Sequence, residues 1–245
     1  MTSENSATPI DILTLLKTGD MSMTQGRLRW SSNHTFLVEI CAGDVRTRAI
    51  YKPRRGERPL WDFPDGTLCN REVAAYLVSE AIGWHIVPPT VLRDGFYGAG
   101  SVQLFVEHDP EITYFNLGDY FVPQLQRIAA FDAIINNADR KGGHCLLDKH
   151  NKIWGIDHGI CFHMASKLRT VIWDFAGQPL PDDLKDAVQK FRQQICDQNS
   201  ELMQQLSPLI SSLEVSALMT RTQKLLHQSK FPQPGNGPSY PWPPV

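Results

Sequence analysis

No stretch of this 245-residue chain is long and apolar enough to cross a bilayer. The one early hydrophobic run, residues 10–16, is short and broken by Asp11 and Thr14, and no secretory leader precedes it, so neither a membrane-spanning nor an exported protein is expected. Charge of one sign is lacking too. A balance of 24 Lys and Arg against 26 Asp and Glu leaves a formal net charge of −2, no basic field that would gather nucleic acid or an anionic membrane. The five cysteines are widely spaced and form no C-x-x-C pair, which argues against a disulfide framework and fits a reducing, cytoplasmic setting. An internal repeat and a G-x-G-x-x-G phosphate loop are also missing.

What is present is 42% hydrophobic and 20% charged residues, enough for one large domain or two lobes packed around a cleft. Thr8-Pro9 ahead of Ile10, Ile12, Leu13, Leu15 and Leu16, with Gly19 behind, predicts a short amphipathic helix capped by Thr8. Residues 25–30, 35–40 and 47–52 read as strands of an antiparallel meander, broken at Ser31-Ser32-Asn33-His34 and Ala42-Gly43-Asp44. Residues 54–67, rich in Pro and Gly, form a long ordered loop carrying Leu60, Trp61 and Phe63. From Asn70, Val73, Ala74, Leu77, Val78, Ala81 and Ile82 recur at helical spacing until Gly83, with Glu72 in the first turn.

Residues 90–93 and 101–106 predict a hairpin, residues 107–110 a hinge, and residues 125–136 a helix apolar nearly all round and therefore buried. Two short strands, 144–147 and 153–156, and helical segments at 182–199 and 202–227 follow. The last 14 residues hold six of the 17 prolines, an extended tail or linker rather than core. Its Tyr240-Pro241-Trp242-Pro243-Pro244 suits either a partner's groove or folding back onto the body. Trp61-Asp62-Phe63 and Trp173-Asp174-Phe175 are expected to pack as core on either side of a cleft, with an exposed lid or partner site as the alternative for the first.

The most informative residues are Asp139-Arg140-Lys141-Gly142-Gly143-His144 and, one apolar hairpin later, Ile156-Asp157-His158-Gly159. Two carboxylates on tight, glycine-marked turns are the parts a phosphoryl-transfer site needs to position a hydroxyl and grip a metal-bound phosphate. Each is also compatible with a plain turn aspartate, and Lys52 before Pro53 with a surface lysine. Arg54, Arg55 and Arg58 either add positive charge beside Lys52 or form a solvated loop. His144, His150, His158 and His163 lie near Cys145 and Cys161, but without zinc-ligand spacing, and the two cysteines read as core.

Taken in order, Ala49-Ile50-Tyr51-Lys52, Arg71-Glu72-Val73-Ala74, the D-R-x-x-x-H loop and Ile156-Asp157-His158-Gly159 resemble the atypical kinase superfamily. Within it the chain is similar to bacterial phosphatidylinositol 3-/4-kinase-like proteins, relatives of type II phosphatidylinositol 4-kinases and HipA-like kinases, over residues 26–174. The resemblance implies an α+β, bilobal, protein-kinase-like fold: a sheet-rich N-terminal lobe (1–107), a reduced helical C-terminal lobe (108–228) and a Pro-rich tail (229–245). It implies transfer of the γ-phosphoryl of ATP to a hydroxyl of a protein, small molecule or inositol lipid, the first two favoured because no membrane-binding feature is visible.

In that reading Lys52, held by Glu72, reaches the α- and β-phosphates, Asp139 orients the attacking hydroxyl and Asp157 holds Mg²⁺ or Mn²⁺, with Gly159 permitting the sharp turn. Ser31, Ser32 and Asn33 would cover the phosphates, or form only a polar hairpin turn, and Gln103, Phe105 and Glu107 mark the adenine edge. His144 departs from the pattern, standing five residues after Asp139 where the kinase loop places a metal-binding asparagine. Imidazole suits manganese or softer ions better than magnesium, so the departure bears on metal preference. It also keeps a nucleotide-binding scaffold and an AMP transferase as alternatives.

Overall fold

The computed structural model describes residues 10–27 and 33–245. Helix α1 (Ile12–Thr18) is capped by Asp11, whose carboxylate accepts the Thr14 N–H at 3.0 Å. It therefore starts later than the hydrophobic run suggests, and the expected cap Thr8 lies outside the described residues. Strands β1 (Asp20–Arg27), β2 (Phe36–Ala42), β3 (Val45–Pro53), β4 (Thr90–Gly95) and β5 (Gly98–Leu104) form one antiparallel sheet in the order β1-β2-β3-β5-β4. β1 begins earlier than predicted because it is an edge strand with Ser22, Met23 and Thr24 exposed, which leaves no apolar alternation to mark it.

Alternation along β2 sends Phe36, Val38 and Ile40 to the outer face, where with Ala49, Tyr51 and Val102 they meet Leu15 and Leu16 of α1. Two fully buried leucines contribute about 1.5–3 kcal/mol each, enough to hold so short a helix in place. The inner face of the sheet looks onto α2 (Leu68–Ile82), most of whose residues are buried. α2 starts two residues before Asn70 because the Glu57 carboxylate accepts the Leu68 and Cys69 N–H groups at 3.0 and 2.8 Å. Gly83, at φ 79°, ends it.

The helical lobe follows: α3 (Val122–Ile135), the hairpin β6 (Cys145–Leu147) and β7 (Ile153–Gly155), then α4 (Asp182–Cys196), α5 (Glu201–Leu206) and α6 (Ser212–Gln228). The single helix predicted over 202–227 is two, because Pro208 cannot continue α5 and Ser211 with Glu214 builds a capping box for α6. Leu184, Val188, Phe191 and Ile195 give α4 one buried stripe.

Two separate apolar cores give the bilobal architecture, and α2 contributes Ala74, Val78 and Ile82 to the core of the helical lobe. The buried Arg71 guanidinium ties α2 further to that lobe, pairing with Glu214 at 2.7 Å and donating to the Cys161 carbonyl at 2.7 Å. Loop 54–67 spans both lobes through Asp62 and Lys167, 2.7 Å apart. Of its aromatics Phe63 is core and Trp61 is 94% exposed, so Trp61 does not pack as expected. In the later triplet only Phe175 is buried, and the Trp173 Nε1–H bonds to the tail. Among the described residues no helix is long and apolar enough to cross a membrane.

Candidate active site

The D-R loop is built from beneath. α3 ends at Asn136 in the left-handed region (φ 55°), and the Asn137 side chain donates to Asp132 and accepts the Asp139 N–H, each at 2.9 Å. Arg140 is fully buried. Its guanidinium meets both Asp132 oxygens at 2.9 Å and donates to the His144 and Ile156 carbonyls at 3.1 Å each, so one planar fork fastens the Asp139 loop to the Asp157 turn. It also donates to His158 Nε2 at 2.7 Å. A guanidinium can only donate, so the His158 proton sits on Nδ1, which is buried without a partner among the described residues. Burial, aided by Arg140, keeps that imidazole neutral.

The cleft above is lined by Asn33, Lys52, Glu57, Glu72, Asp139 and Asp157. From the end of β3, Lys52 Nζ reaches Glu72 Oε1 at 2.5 Å and Asp157 Oδ1 at 2.8 Å. Burial opposes the ammonium, but Asp157 and Glu72 overcome it and lift its pKa above the usual lysine value. One cation shared by two carboxylates treats them unequally. Burial raises buried Glu72, and Lys52 offsets only part of this, whereas Lys52 holds half-exposed Asp157 far below the usual range. Glu72 Oε2 also accepts the His158 N–H at 2.9 Å, so a single carboxylate sets both the lysine and the aspartate turn.

The sharp turn itself falls on Asp157, at φ 61°, and not on Gly159, which lies outside the left-handed region. A Cβ at Gly159 would make only ordinary contacts, with Leu68 at 3.4 Å and Glu72 at 3.6 Å. A left-handed aspartate is a strained conformation, and the Glu72 and Arg140 bonds on either side hold it there.

Burial raises the Asp139 carboxyl to about 6, with Lys141, 3.9 Å away, acting against the rise. His144 Nδ1 lies 2.9 Å from the Asp139 carbonyl, an acceptor, which puts the proton on Nδ1. A longer approach of the Lys141 N–H to the same nitrogen, at 3.4 Å, requires the opposite tautomer and is the weaker contact. Burial holds His144 neutral by lowering its pKa to about 4, so its Nε2 lone pair faces Asp157 Oδ2 across 3.4 Å. Two acceptors converging on one point are the donor set a cation accepts. Among the described residues no group of three or more His, Cys, Asp or Glu could hold a metal, so any cation here would need oxygen ligands from a phosphate as well.

The other expected residues scatter. Ser31 and Ser32 lie outside the described residues, while Asn33 lines the cleft and accepts the Arg58 N–H at 2.8 Å, tying that turn to loop 54–67. Gln103 is buried and bonded to Thr90 Oγ1, the Phe105 N–H is taken by the Arg48 carbonyl, and Glu107 pairs with Arg48 at the surface. None of these three lines the Lys52 cleft. Arg54, Arg55 and Arg58 are exposed. Cys145 and Cys161 are buried, with thiol pKa values raised by burial. The structure adds roles for Glu57 and Lys141. Lys141 had a signal, two residues past Asp139, whereas Glu57 acts on residues eleven and twelve positions away with nothing local to mark it.

Comparison with known proteins finds relatives in sequence and in fold. The family profile "Phosphatidylinositol 3- and 4-kinase" matches residues 70–225. Protein Rv2133c of Mycobacterium tuberculosis is 39% identical over 94% of both chains. Phosphatidylinositol 4-kinase gamma 4 of Oryza sativa is 34% identical over 37% of this chain, a match that spans only 20% of the plant protein. Among solved structures, the Golgi casein kinase with Mn/ADP bound aligns with TM-score 0.56 at 13% identity, covering 88% of this chain and 74% of that one. The Helicobacter pylori proinflammatory kinase CtkA aligns with TM-score 0.54 at 13% identity, covering 88% and 94%. At such identities the structural likeness speaks to the fold alone.

Proposed function

The chain belongs to the phosphatidylinositol 3- and 4-kinase family, and from that premise we propose that it transfers the γ-phosphoryl group of ATP to a hydroxyl acceptor. One observation carries the reading: the Lys52 ammonium stands between Glu72 and Asp157 in the cleft that Asp139 also lines. Glu72 aims the ammonium at the nucleotide's phosphates. Asp139 orients the acceptor hydroxyl and takes its proton, and Lys141 holds positive charge beside it. Asp157 and His144 are the residues that would hold a divalent cation, Mg²⁺ or Mn²⁺. When bound, that cation offsets phosphate charge. Adenine would lie toward the 103–107 edge, using donors other than the Phe105 N–H. For the acceptor we favour a protein or small molecule, and for the protein's setting the cytoplasm.

ATP labelled separately at the α- and γ-phosphates, incubated with the protein and Mg²⁺ or Mn²⁺, tests the reading. Label transferred from γ alone supports it. Transfer of α label makes the protein an AMP transferase, and binding without transfer makes it a nucleotide-binding scaffold.

Two variants extend the test. His144→Asn replaces nitrogen by the oxygen ligand magnesium prefers, so the ratio of Mg²⁺- to Mn²⁺-supported turnover is expected to rise severalfold, and an unchanged ratio would remove His144 from the metal. Asp139, raised to about 6 from 3.8, is expected to give kcat/KM an acid limb near pH 6, with activity rising as the carboxyl ionises. The sign for stability is opposite. Between about pH 4 and 6 the native state binds this proton more tightly than the unfolded chain, so the contribution falls as pH rises. Asp139→Asn is therefore expected to raise Tm at pH 7 while abolishing transfer and its acid limb, as calorimetry and pH–rate profiles would show.

A further inference from the structure

The proline-rich segment after α6 does not leave the body. The Ser239 carbonyl accepts the Thr170 N–H at 3.1 Å and the Trp173 Nε1–H at 3.0 Å, and Pro241 is buried. Further along, the Pro244 carbonyl accepts the Gly142 N–H at 2.8 Å. Gly142 opens the one-turn helix Gly142–His144, and an N–H in that position has no partner within its own turn. The turn carries His144, and Gly142 stands between it and Asp139. On another side the Phe115 ring packs so closely that a Cβ on Gly142 would fall 2.5 Å from it. The 139–144 loop is thus gripped by Arg140 from beneath, by Phe115 at its side and by a carbonyl roughly a hundred residues downstream.

Proline suits this task. It fixes its own φ and has no N–H to leave unpaired, so Pro241, Pro243 and Pro244 hold the Pro244 carbonyl in place at small entropic cost. The contact joins the tail to both sides of the loop's foundation, since Thr170 also forms a bridge with Arg140. We infer that residues 239–244 are an intramolecular strap that sets the geometry of the 139–144 loop, with Pro244 acting as a positioning residue for phosphoryl transfer. The catalytic half of this statement rests on the kinase reading, and the structural half stands without it.

The test compares the full chain with one ending at Pro238, using Mn²⁺–ATP with water as acceptor and, separately, amide hydrogen exchange. KM for ATP is expected to change by less than about threefold while kcat falls about tenfold or more, and a synthetic peptide of residues 237–245 is expected to restore it in trans. Exchange in the 139–144 segment is expected to accelerate at least about tenfold. A rise in kcat would make the tail a cover over the site and overturn the inference, as would unchanged exchange. If the full chain releases no phosphate, exchange alone decides: acceleration confined to 139–144 and 170–173 upholds the strap although the kinase reading fails. Should the shortened chain not fold, the full-length triple variant Pro241→Gly, Pro243→Gly, Pro244→Gly is expected to show the same changes in smaller measure, and wild-type exchange in it overturns the strap.

Discussion

Asp157→Asn is expected to lower γ-phosphoryl transfer by about a thousandfold or more, roughly 4 kcal/mol of transition-state stabilisation, while leaving the fold intact. Asparagine tolerates the left-handed backbone that position 157 requires at φ 61°. Lys52 keeps Glu72, and the His158 N–H keeps its acceptor, so neither strand nor turn loses its anchor. What disappears is the negative oxygen facing His144 Nε2, and with it the donor pair that would grip a cation. The loss should therefore appear twice, in turnover and in Mn²⁺ affinity measured by calorimetry in the presence of ADP. Turnover within tenfold of wild type would remove Asp157 from the metal site.

A contrast within one helix turn explains why this site was readable from sequence. Lys52 lies near the end of β3, Glu72 in the second turn of α2, and Asp139 and Asp157 on the turns just after α3 and β7, all elements that their apolar residues and glycines mark in the sequence. Arg71, beside Glu72, was equally visible yet its role was not, because its partners Glu214 and Cys161 lie far away in sequence. The same holds for Glu57 on the end of α2 and for Pro244 on Gly142. Residue type could not separate Trp61 from Phe63 either. Loop 54–67 has no period, and distant partners receive the aromatic that turns inward: Phe63 lies 4.8 Å from the Arg71 guanidinium and 5.2 Å from the His163 ring. The turn at 157–159 differs for another reason: glycine advertises a left-handed backbone, but here Asp157, two positions earlier, adopts it.

Arg140→Met should be the most destabilising single change in the loop, costing about 3–5 kcal/mol because it leaves the Asp132 carboxylate buried and uncompensated. In a chain of this size that lowers Tm by roughly 10 °C or more. The Ile156 carbonyl and His158 Nε2 lose the guanidinium donor at the same stroke, while the His144 carbonyl keeps only the Ile156 N–H. Adding Asp132→Leu distinguishes the two consequences. Replacing the whole ion pair by apolar side chains of similar volume removes the stranded charge, so much of the lost stability is expected to return in the double variant. Transfer activity is not expected to return with it, since no apolar side chain can donate to the His144 and Ile156 carbonyls, and the Asp139 loop then meets the Asp157 turn only through backbone bonds such as Ile156 N–H to the His144 carbonyl, at 3.1 Å. A double variant that recovered both stability and turnover would mean that Arg140 only neutralises Asp132, and that the fork holding the two turns together has no part in aligning them.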